Sequence, residues 1–129
     1  MTLDEILEAT EAELLVAPPF NIDLESACAS DLMSDVLVFT KPSMLLVTGL
    51  TNPQAIRTAD MAEAPAVLFV RGKYPPAETL KLAEDLGIAV LLSAYTMFET
   101  AGLLYNAGLK GLGKLPILRQ GHESTQKRR

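Results

Sequence analysis

The sequence predicts an α/β fold: a single domain with a largely parallel sheet, built from βα repeats, with helices on the faces of the sheet. Apolar runs at residues 45–47, 67–70 and 88–92 each end in a polar turn, and a helical pattern follows each turn. The short connections favour parallel pairing and right-handed crossovers. A length of 129 residues matches one domain that can bury a sizeable core.

The first three elements are predicted to be a helix and two strands. Thr2 and Glu5 have the spacing of a capping box, and the apolar residues that follow predict a helix ending near Thr10. Residues 12–16 predict a strand, which two prolines stop. Residues 27–29 predict a second strand, short and buried.

A short helix is predicted over residues 32–37, capped by Ser30 or Asp31. Residues 36–39 leave an alternative open, because their β-branched and aromatic side chains favour a strand. The apolar spacing favours a helix, and we prefer it. Four polar side chains of this segment could bind a metal or serve as acid and base, but capping and solvation are the favoured interpretation for Ser30, Asp31, Ser34 and Asp35.

Residues 44–48 predict a central strand, because they are apolar on both faces. Thr51 or Asn52 is predicted to cap the next helix, and Pro53 suits its first turn. The other predicted elements are a strand at 66–70, a helix at 77–86 ended by Gly87, a strand at 88–92, and a helix at 96–107 ended by Gly108, with Thr96 and Glu99 as its capping box. Residues predicted to pack inward from these helices include Met61, Leu86, Phe98 and Tyr105.

Charge divides the chain into two parts. Residues 1–109 contain five Lys/Arg and fifteen Asp/Glu, a net charge of −10, and are predicted to form the α/β domain. Residues 110–129 contain six Lys/Arg and one Glu, a net charge of +5, and are predicted to form a flexible basic tail. The tail could instead contact the acidic domain of its own or a neighbouring subunit. The acidic domain argues against nucleic acid as a partner.

The sequence also predicts a cytoplasmic protein without a membrane span. No apolar run is long enough to cross a bilayer, and the acidic N-terminus lacks the pattern of a signal peptide. The single cysteine, Cys28, excludes an intramolecular disulfide, and its apolar neighbours predict a buried, inert thiol.

The turn after residues 44–48 is the first candidate ligand site. Gly49 allows close backbone approach, and the helix that follows offers free N–H groups suited to an anion. Hydroxyl and amide groups of Thr48, Thr51 and Asn52 could add contacts to a ligand. The competing interpretation is a tight turn with an ordinary helix cap, and we favour it for this segment.

Two further turns extend this candidate site, because turns after parallel strands gather at one edge of the sheet. Arg71 could pair with a carboxylate or phosphate, next to Gly72. An internal or intersubunit salt bridge competes strongly, since the domain is rich in acids. Ser93 could line the same crevice.

The sequence contains no recognisable catalytic set, and it indicates no metal or particular cofactor. Residues 1–109 have no histidine, which removes the commonest proton shuttle, and His122 in the tail stands alone. The glycine fingerprints of P-loop and dinucleotide-binding proteins are both absent. We therefore expect a protein that is not an enzyme.

Four stretches together resemble a stand-alone DRTGG-domain protein: residues 29–37, 46–54, 56–59 and 69–73. The resemblance implies an α/β domain related in fold to the N-terminal domain of HPr kinase and to the accessory domain of some phosphotransacetylases. It also implies frequent homodimers and the sensing of small molecules. The name-giving residues differ here, since only Gly49 and Gly72 match by position, so the family's Asp and Arg carry no role over to this chain.

Three functions follow from these observations. The preferred one is a regulatory module that binds a small anionic ligand, such as a nucleotide, at the strand ends. The second is a protein–protein interaction or scaffold domain without a ligand. The third, ranked last, is an enzyme acting on a phosphorylated metabolite with Asp31 or Asp35 as its base.

Overall fold

The structure, a computed structural model, describes residues 1–118 as strands alternating with helices. Residues 119–129, which include His122 and the basic end of the predicted tail, lie outside the described residues. The elements are α1 (Leu3–Thr10), β1 (Glu13–Val16), β2 (Ser26–Ala29), α2 (Met33–Val38), β3 (Met44–Thr48), α3 (Pro53–Met61), β4 (Ala66–Phe69), α4 (Ala77–Leu86), β5 (Ala89–Leu92) and α5 (Met97–Ala107).

The five strands form one sheet in the order β1-β5-β4-β3-β2. Strands β2 to β5 are parallel neighbours, with Leu46 opposite both Cys28 and Val67, and only β1 runs antiparallel, along β5. The predicted fold class is therefore confirmed. The carboxyl ends of four strands meet at one edge of this sheet, and the turn after β1 lies at the other.

Helices cover both faces of the sheet, three on one and two on the other. Val36 of α2, Ile56 of α3 and Ala83 of α4 pack with one set of strand side chains. Ile6 of α1 and Leu104 of α5 pack with the alternate set. All nine residues of β3 and β4 are buried, because both faces of these central strands are covered.

The predicted helix boundaries are largely confirmed. Thr2 and Glu5 form the complete capping box of α1, and the Asn52 side chain caps α3. Gly87 and Gly108 end their helices in the left-handed conformation that glycine adopts without strain. The ambiguous segment is helical to Val38, as the apolar spacing indicated.

Two predicted caps are wrong. Leu32 occupies the N-cap of α2 without a side-chain hydrogen bond, so neither Ser30 nor Asp31 caps that helix. At α5, Thr96 stands at the N-cap, but its hydroxyl donates to the Glu99 carboxylate, so no reciprocal capping box forms. The Ser30 hydroxyl instead pairs with the Leu32 backbone, and the Asp31 carboxylate accepts from Thr48 and Gly49.

The inward packing predicted for four helical side chains is also wrong, since Met61, Leu86, Phe98 and Tyr105 are exposed. A helix on a sheet buries one stripe, and these residues lie outside it. Cys28 is buried, as predicted. Burial raises the pKa of its thiol, and the nearby Asp35 carboxylate raises it further, so the thiol stays protonated and unreactive.

Candidate functional site

The turns after β2, β3 and β4 are joined by hydrogen bonds at the carboxyl edge of the sheet. Asp31, just beyond β2, reaches across to the end of β3. One oxygen of its carboxylate accepts from the Gly49 backbone N–H at 2.7 Å and from the Thr48 hydroxyl at 3.0 Å. Gly49 and Thr48 are both buried and out of reach of water. Without Asp31, these two donors would have no hydrogen-bond acceptor.

Arg71 approaches the same peptide from the next strand. Its guanidinium donates through Nη2 to the Gly49 carbonyl oxygen at 3.2 Å. A Cβ atom on Gly49 would lie 3.0 Å from Nη2 and 3.2 Å from Nε of Arg71, so a side chain at this position would push the guanidinium away from its present place. Gly49 is thus held by a carboxylate at its N–H and by a guanidinium at its carbonyl.

The backbone at Arg71 and Gly72 is left-handed at both positions, with φ of 68° and 64°. Glycine adopts this conformation freely, but for arginine it costs about 1–2 kcal/mol. Two backbone hydrogen bonds of 2.8 Å hold the turn: Arg71 N–H donates to the Tyr95 carbonyl, and Gly72 N–H donates to the Ser93 carbonyl. The neighbouring turn therefore imposes a strained conformation on Arg71.

Ser93 directs its side chain away from these turns. Its buried hydroxyl donates to the Thr10 carbonyl at 2.8 Å and accepts from the Tyr95 N–H at 3.3 Å. The Tyr95 hydroxyl donates to the Glu11 carboxylate at 2.8 Å, and this contact raises the pKa of Tyr95. The turn after β5 is thus attached to the end of α1.

Thr51 and Asn52 complete the turn between β3 and α3. The Asn52 Oδ1 accepts from the Ala55 N–H at 3.3 Å, which is the predicted capping contact. Thr51 is buried, and its carbonyl accepts from the Thr79 hydroxyl on α4 at 2.8 Å. Asn52 is exposed, and the nitrogen of its amide makes no hydrogen bond within residues 1–118.

The structure thus divides the seven predicted site residues into groups. Thr48, Gly49 and Arg71 come together around one peptide, and the Gly72 and Ser93 backbones pair beside them. The structure adds Asp31 to this cluster, a role that the sequence does not predict, since capping and solvation are its favoured interpretation there. A usable signal existed, since an aspartate soon after a parallel strand lies at the same edge as the other turns.

The exposed group with the greatest capacity to hold a ligand at this edge is the Arg71 guanidinium. Among residues 1–118 it has no carboxylate within 4.0 Å, although Asp31 lies on the other side of Gly49. Within residues 1–118, one of its five N–H donors is used by the Gly49 carbonyl, so the other four can donate hydrogen bonds to a planar anion.

No group of three or more His, Cys, Asp or Glu side chains within residues 1–118 has the arrangement of a metal site. In that same part, none of the helices is both long and apolar enough to cross a membrane.

Two cavities lie at the opposite edge of the sheet. One has a volume of about 570 Å³ and is lined by residues 2–4 and 17–22. The other, of about 410 Å³, lies around the start of β2, near Lys41 and Lys110. Neither cavity includes any of the seven predicted site residues, so these cavities and the turn cluster are separate features.

Comparison with known proteins identifies the fold. No protein-family model and no curated protein sequence matches the chain. A solved structure does match: the CBS and DRTGG domains of the regulatory region of Clostridium perfringens pyrophosphatase, complexed with its activator diadenosine tetraphosphate, with a TM-score of 0.61 and 17% identity. The match covers 82% of this chain and 46% of the pyrophosphatase chain, and it supports the DRTGG-like fold that the resemblance implied.

Proposed function

We propose that this protein is a non-enzymatic regulatory module that binds a small anionic ligand, such as a nucleotide, at the carboxyl edge of its sheet. The observation that carries the proposal is the exposed Arg71 guanidinium, which is held against Gly49 and has no carboxylate partner among residues 1–118. The other residues proposed to shape the site are Thr48, Thr51, Asn52, Gly72 and Ser93.

The geometry supports an anion over other ligands. Arg71 is held in a left-handed conformation, and strained residues of this kind cluster at ligand-binding sites. The Gly49 carbonyl orients the guanidinium before a ligand arrives, which lowers the entropy lost on binding. Asp31 accepts two internal hydrogen bonds, so its charge serves the turn and is not directed at Arg71.

The fold supports a regulatory role. The similar region of the pyrophosphatase is regulatory and was solved with a nucleotide activator. We extend to this chain the general idea of a nucleotide-responsive module, with diadenosine tetraphosphate as one of several compounds to test. The cytoplasmic location of this protein remains a prediction from the sequence.

A thermal-shift screen tests the proposal. The panel contains nucleotides, diadenosine tetraphosphate, phosphorylated metabolites and divalent metals. A ligand at one hundred times its Kd stabilises a fold by about 2.7 kcal/mol, which raises the Tm of a domain of this size by several degrees. We expect an anionic compound to give such a shift, and a flat screen across all the anions would contradict the proposal.

A matched pair of variants locates the binding. Arg71→Gln removes the proposed contact, whereas Arg57→Gln removes an exposed arginine from α3 and serves as the control for lost charge. We expect the affinity for the compound found in the screen to fall at least tenfold in Arg71→Gln and to stay unchanged in Arg57→Gln. Equal binding by both variants would place the ligand elsewhere.

A second function, a protein–protein interaction domain, is favoured by the exposed aromatic side chains of α5. In that case the turns serve only the fold, and a specific protein partner binds without any anionic ligand. A homodimer is compatible with both functions and is included in the proposal. Turnover of a phosphorylated metabolite that is lost in Asp31→Asn would show instead that the protein is an enzyme.

A further inference from the structure

The cavity of about 410 Å³ around the start of β2 has the size of a small-molecule site. Part of its wall is the segment 108–111, which follows α5, and another part is formed by Lys41 and Pro42, in the turn between α2 and β3. Cavities that bind small molecules have volumes of about 300–1,000 Å³. This cavity therefore has room for a small organic molecule.

Backbone hydrogen bonds hold Lys110 beside β2. Its carbonyl accepts from the Ala27 N–H at 2.8 Å, and its own N–H donates to the Glu25 carbonyl at 3.4 Å. Lys110 thus pairs with Ser26 in the manner of a parallel strand. Side chains of paired positions lie on the same face of a sheet, so Lys110 extends over the face that Ser26 occupies.

The Ser26 hydroxyl has no hydrogen-bond partner among residues 1–118, although Ser26 is only 5% exposed. Buried polar groups in folded proteins nearly always have a partner, so this hydroxyl calls for an acceptor. Ser26 lines the cavity, and rotation about χ1 moves a serine hydroxyl among three staggered positions. The hydroxyl can therefore donate to a ligand in the cavity.

The wall of the cavity has a net positive charge. Lys41 and Lys110 have no carboxylate within 4.0 Å among the described residues, and the carboxylate in the wall is that of Glu25. The Met1 ammonium lies 3.5 Å from the Asp23 carboxylate, so these two charges offset each other. Two lysines and one glutamate leave a net charge of +1 in an otherwise acidic domain, which favours an anionic ligand.

A phosphate group provides the acceptors that these donors need. One phosphate oxygen can accept from the Ser26 hydroxyl, while the others form charge-assisted hydrogen bonds with the ammonium groups of Lys41 and Lys110. The cavity is much larger than a phosphate ion, so an attached organic group also fits. The Glu25 carboxylate would repel a second anionic group, but it can accept from a hydroxyl of the organic part.

We propose that this cavity binds a phosphorylated small molecule that carries hydroxyl groups, such as a sugar phosphate, with its phosphate held by Lys41, Lys110 and Ser26. The inference goes beyond the proposed function, because Arg71 lies at the other edge of the sheet and does not line this cavity. Substitutions in the two regions therefore separate the two sites, and either proposal can fail alone.

Amide NMR of the full ¹⁵N-labelled chain tests the site with four probes: glucose 6-phosphate, ribose 5-phosphate, inorganic phosphate and glucose. We expect at least one of the two sugar phosphates to shift the signals of residues 25–27 and 108–111, and glucose to leave them unchanged. Inorganic phosphate should bind about tenfold more weakly, because it lacks the organic part. No shift in these signals with either sugar phosphate, or equal binding of inorganic phosphate, would overturn the proposal.

Lysine variants locate the phosphate. Lys41→Gln and Lys110→Gln each remove one proposed ammonium donor, and Lys114→Gln is the matched control, since Lys114 is an exposed lysine close in sequence that does not line the cavity. We expect the affinity for the sugar phosphate to fall about tenfold in each cavity variant and to persist in Lys114→Gln and Arg71→Gln. Equal affinity in all four variants would overturn the site.

The Ser26→Ala variant tests the hydroxyl separately from the lysines. Because this hydroxyl has no partner within residues 1–118, its removal should not lower the urea midpoint of unfolding. The affinity for the sugar phosphate should nevertheless fall, since one donor to the phosphate is lost. A lower urea midpoint, or unchanged affinity, would contradict the role assigned to Ser26.

Discussion

Two turns at the same edge of the sheet use their polar groups in opposite ways. In the turn after β3, the Gly49 N–H and the Thr48 hydroxyl both bond to Asp31, and Asn52 caps α3. In the turn after β4, Arg71 is exposed, strained and without an ion-pair partner among residues 1–118. The first turn stabilises the edge, and we assign ligand contact chiefly to the second.

This difference shows why polar residues at strand ends are weak evidence for a binding site by themselves. A buried donor in a turn needs an internal partner, and removing that partner costs about 1–3 kcal/mol. The Arg71 guanidinium is exposed, so water can satisfy its donors and it needs no internal partner. Its position against Gly49 therefore calls for another explanation. Substitutions in the two turns should therefore separate stability from binding.

The largest loss of stability is expected for Asp31→Ala. The change leaves the buried Gly49 N–H without its acceptor, so the free energy of unfolding should fall by about 1–3 kcal/mol. Urea denaturation measures the change, with Asp35→Ala on α2 as the control carboxylate. Equal stability of the two variants would show that the Asp31 contact is unimportant to the fold.

A smaller loss is expected for Asn52→Ala, because the change removes the side-chain cap of α3. Such a loss costs about 1 kcal/mol, which the same denaturation experiment can resolve. Ligand affinity should fall less than in the Arg71 variants, since the Asn52 oxygen is already occupied by the cap. Complete loss of binding in Asn52→Ala would reverse the roles that we assign to the two turns.

The Arg71→Gly variant should keep its stability, in contrast to Arg57→Gly. Relief of the left-handed strain, about 1–2 kcal/mol, offsets the loss of one hydrogen bond worth about 0.5–1.5 kcal/mol. Glycine at position 57, inside α3, costs about 1 kcal/mol. Thermal unfolding of the pair measures the contrast, and a clearly less stable Arg71→Gly protein would assign Arg71 a structural role.

Little change in stability is expected for Gly49→Ala as well. The new Cβ would lie 3.0 Å from Nη2 of Arg71, and the flexible guanidinium can move away at little cost. Ligand affinity should nevertheless fall, because the guanidinium loses its position. Calorimetric titration of an active panel compound checks this, and unchanged affinity would show that the Gly49 contact does not orient Arg71 for binding.

The smallest effect concerns the turn after β5 and depends on pH. The pKa of Tyr95 is raised, chiefly because its hydroxyl donates to the Glu11 carboxylate. Because the pKa is higher in the folded state, the protonated tyrosine stabilises the fold at pH values below about 10. This contribution is lost as the pH rises above about 10. Tyr95→Phe should flatten that part of a Tm-against-pH curve, and an unchanged curve would argue against the contact.

Most of the fold could be predicted from the sequence, because apolar periodicity and helix caps are local signals. The buried run at 44–48 and the cap at Asn52 are examples. The partner of Asp31 could not be predicted with the same ease, since it lies seventeen residues along the chain and depends on the pairing of β2 with β3. The exposure of Phe98 and Tyr105 depends on how two helices divide one face of the sheet.

The central claim is that a small anion binds at the Arg71 turn, and backbone amide NMR tests it most directly. Titration of each panel compound into ¹⁵N-labelled protein should shift the amide signals of Arg71, Gly72 and their neighbours at the sheet edge. Shifts confined to the 570 Å³ cavity near residues 17–22, or no shift with any anion, would contradict the claim.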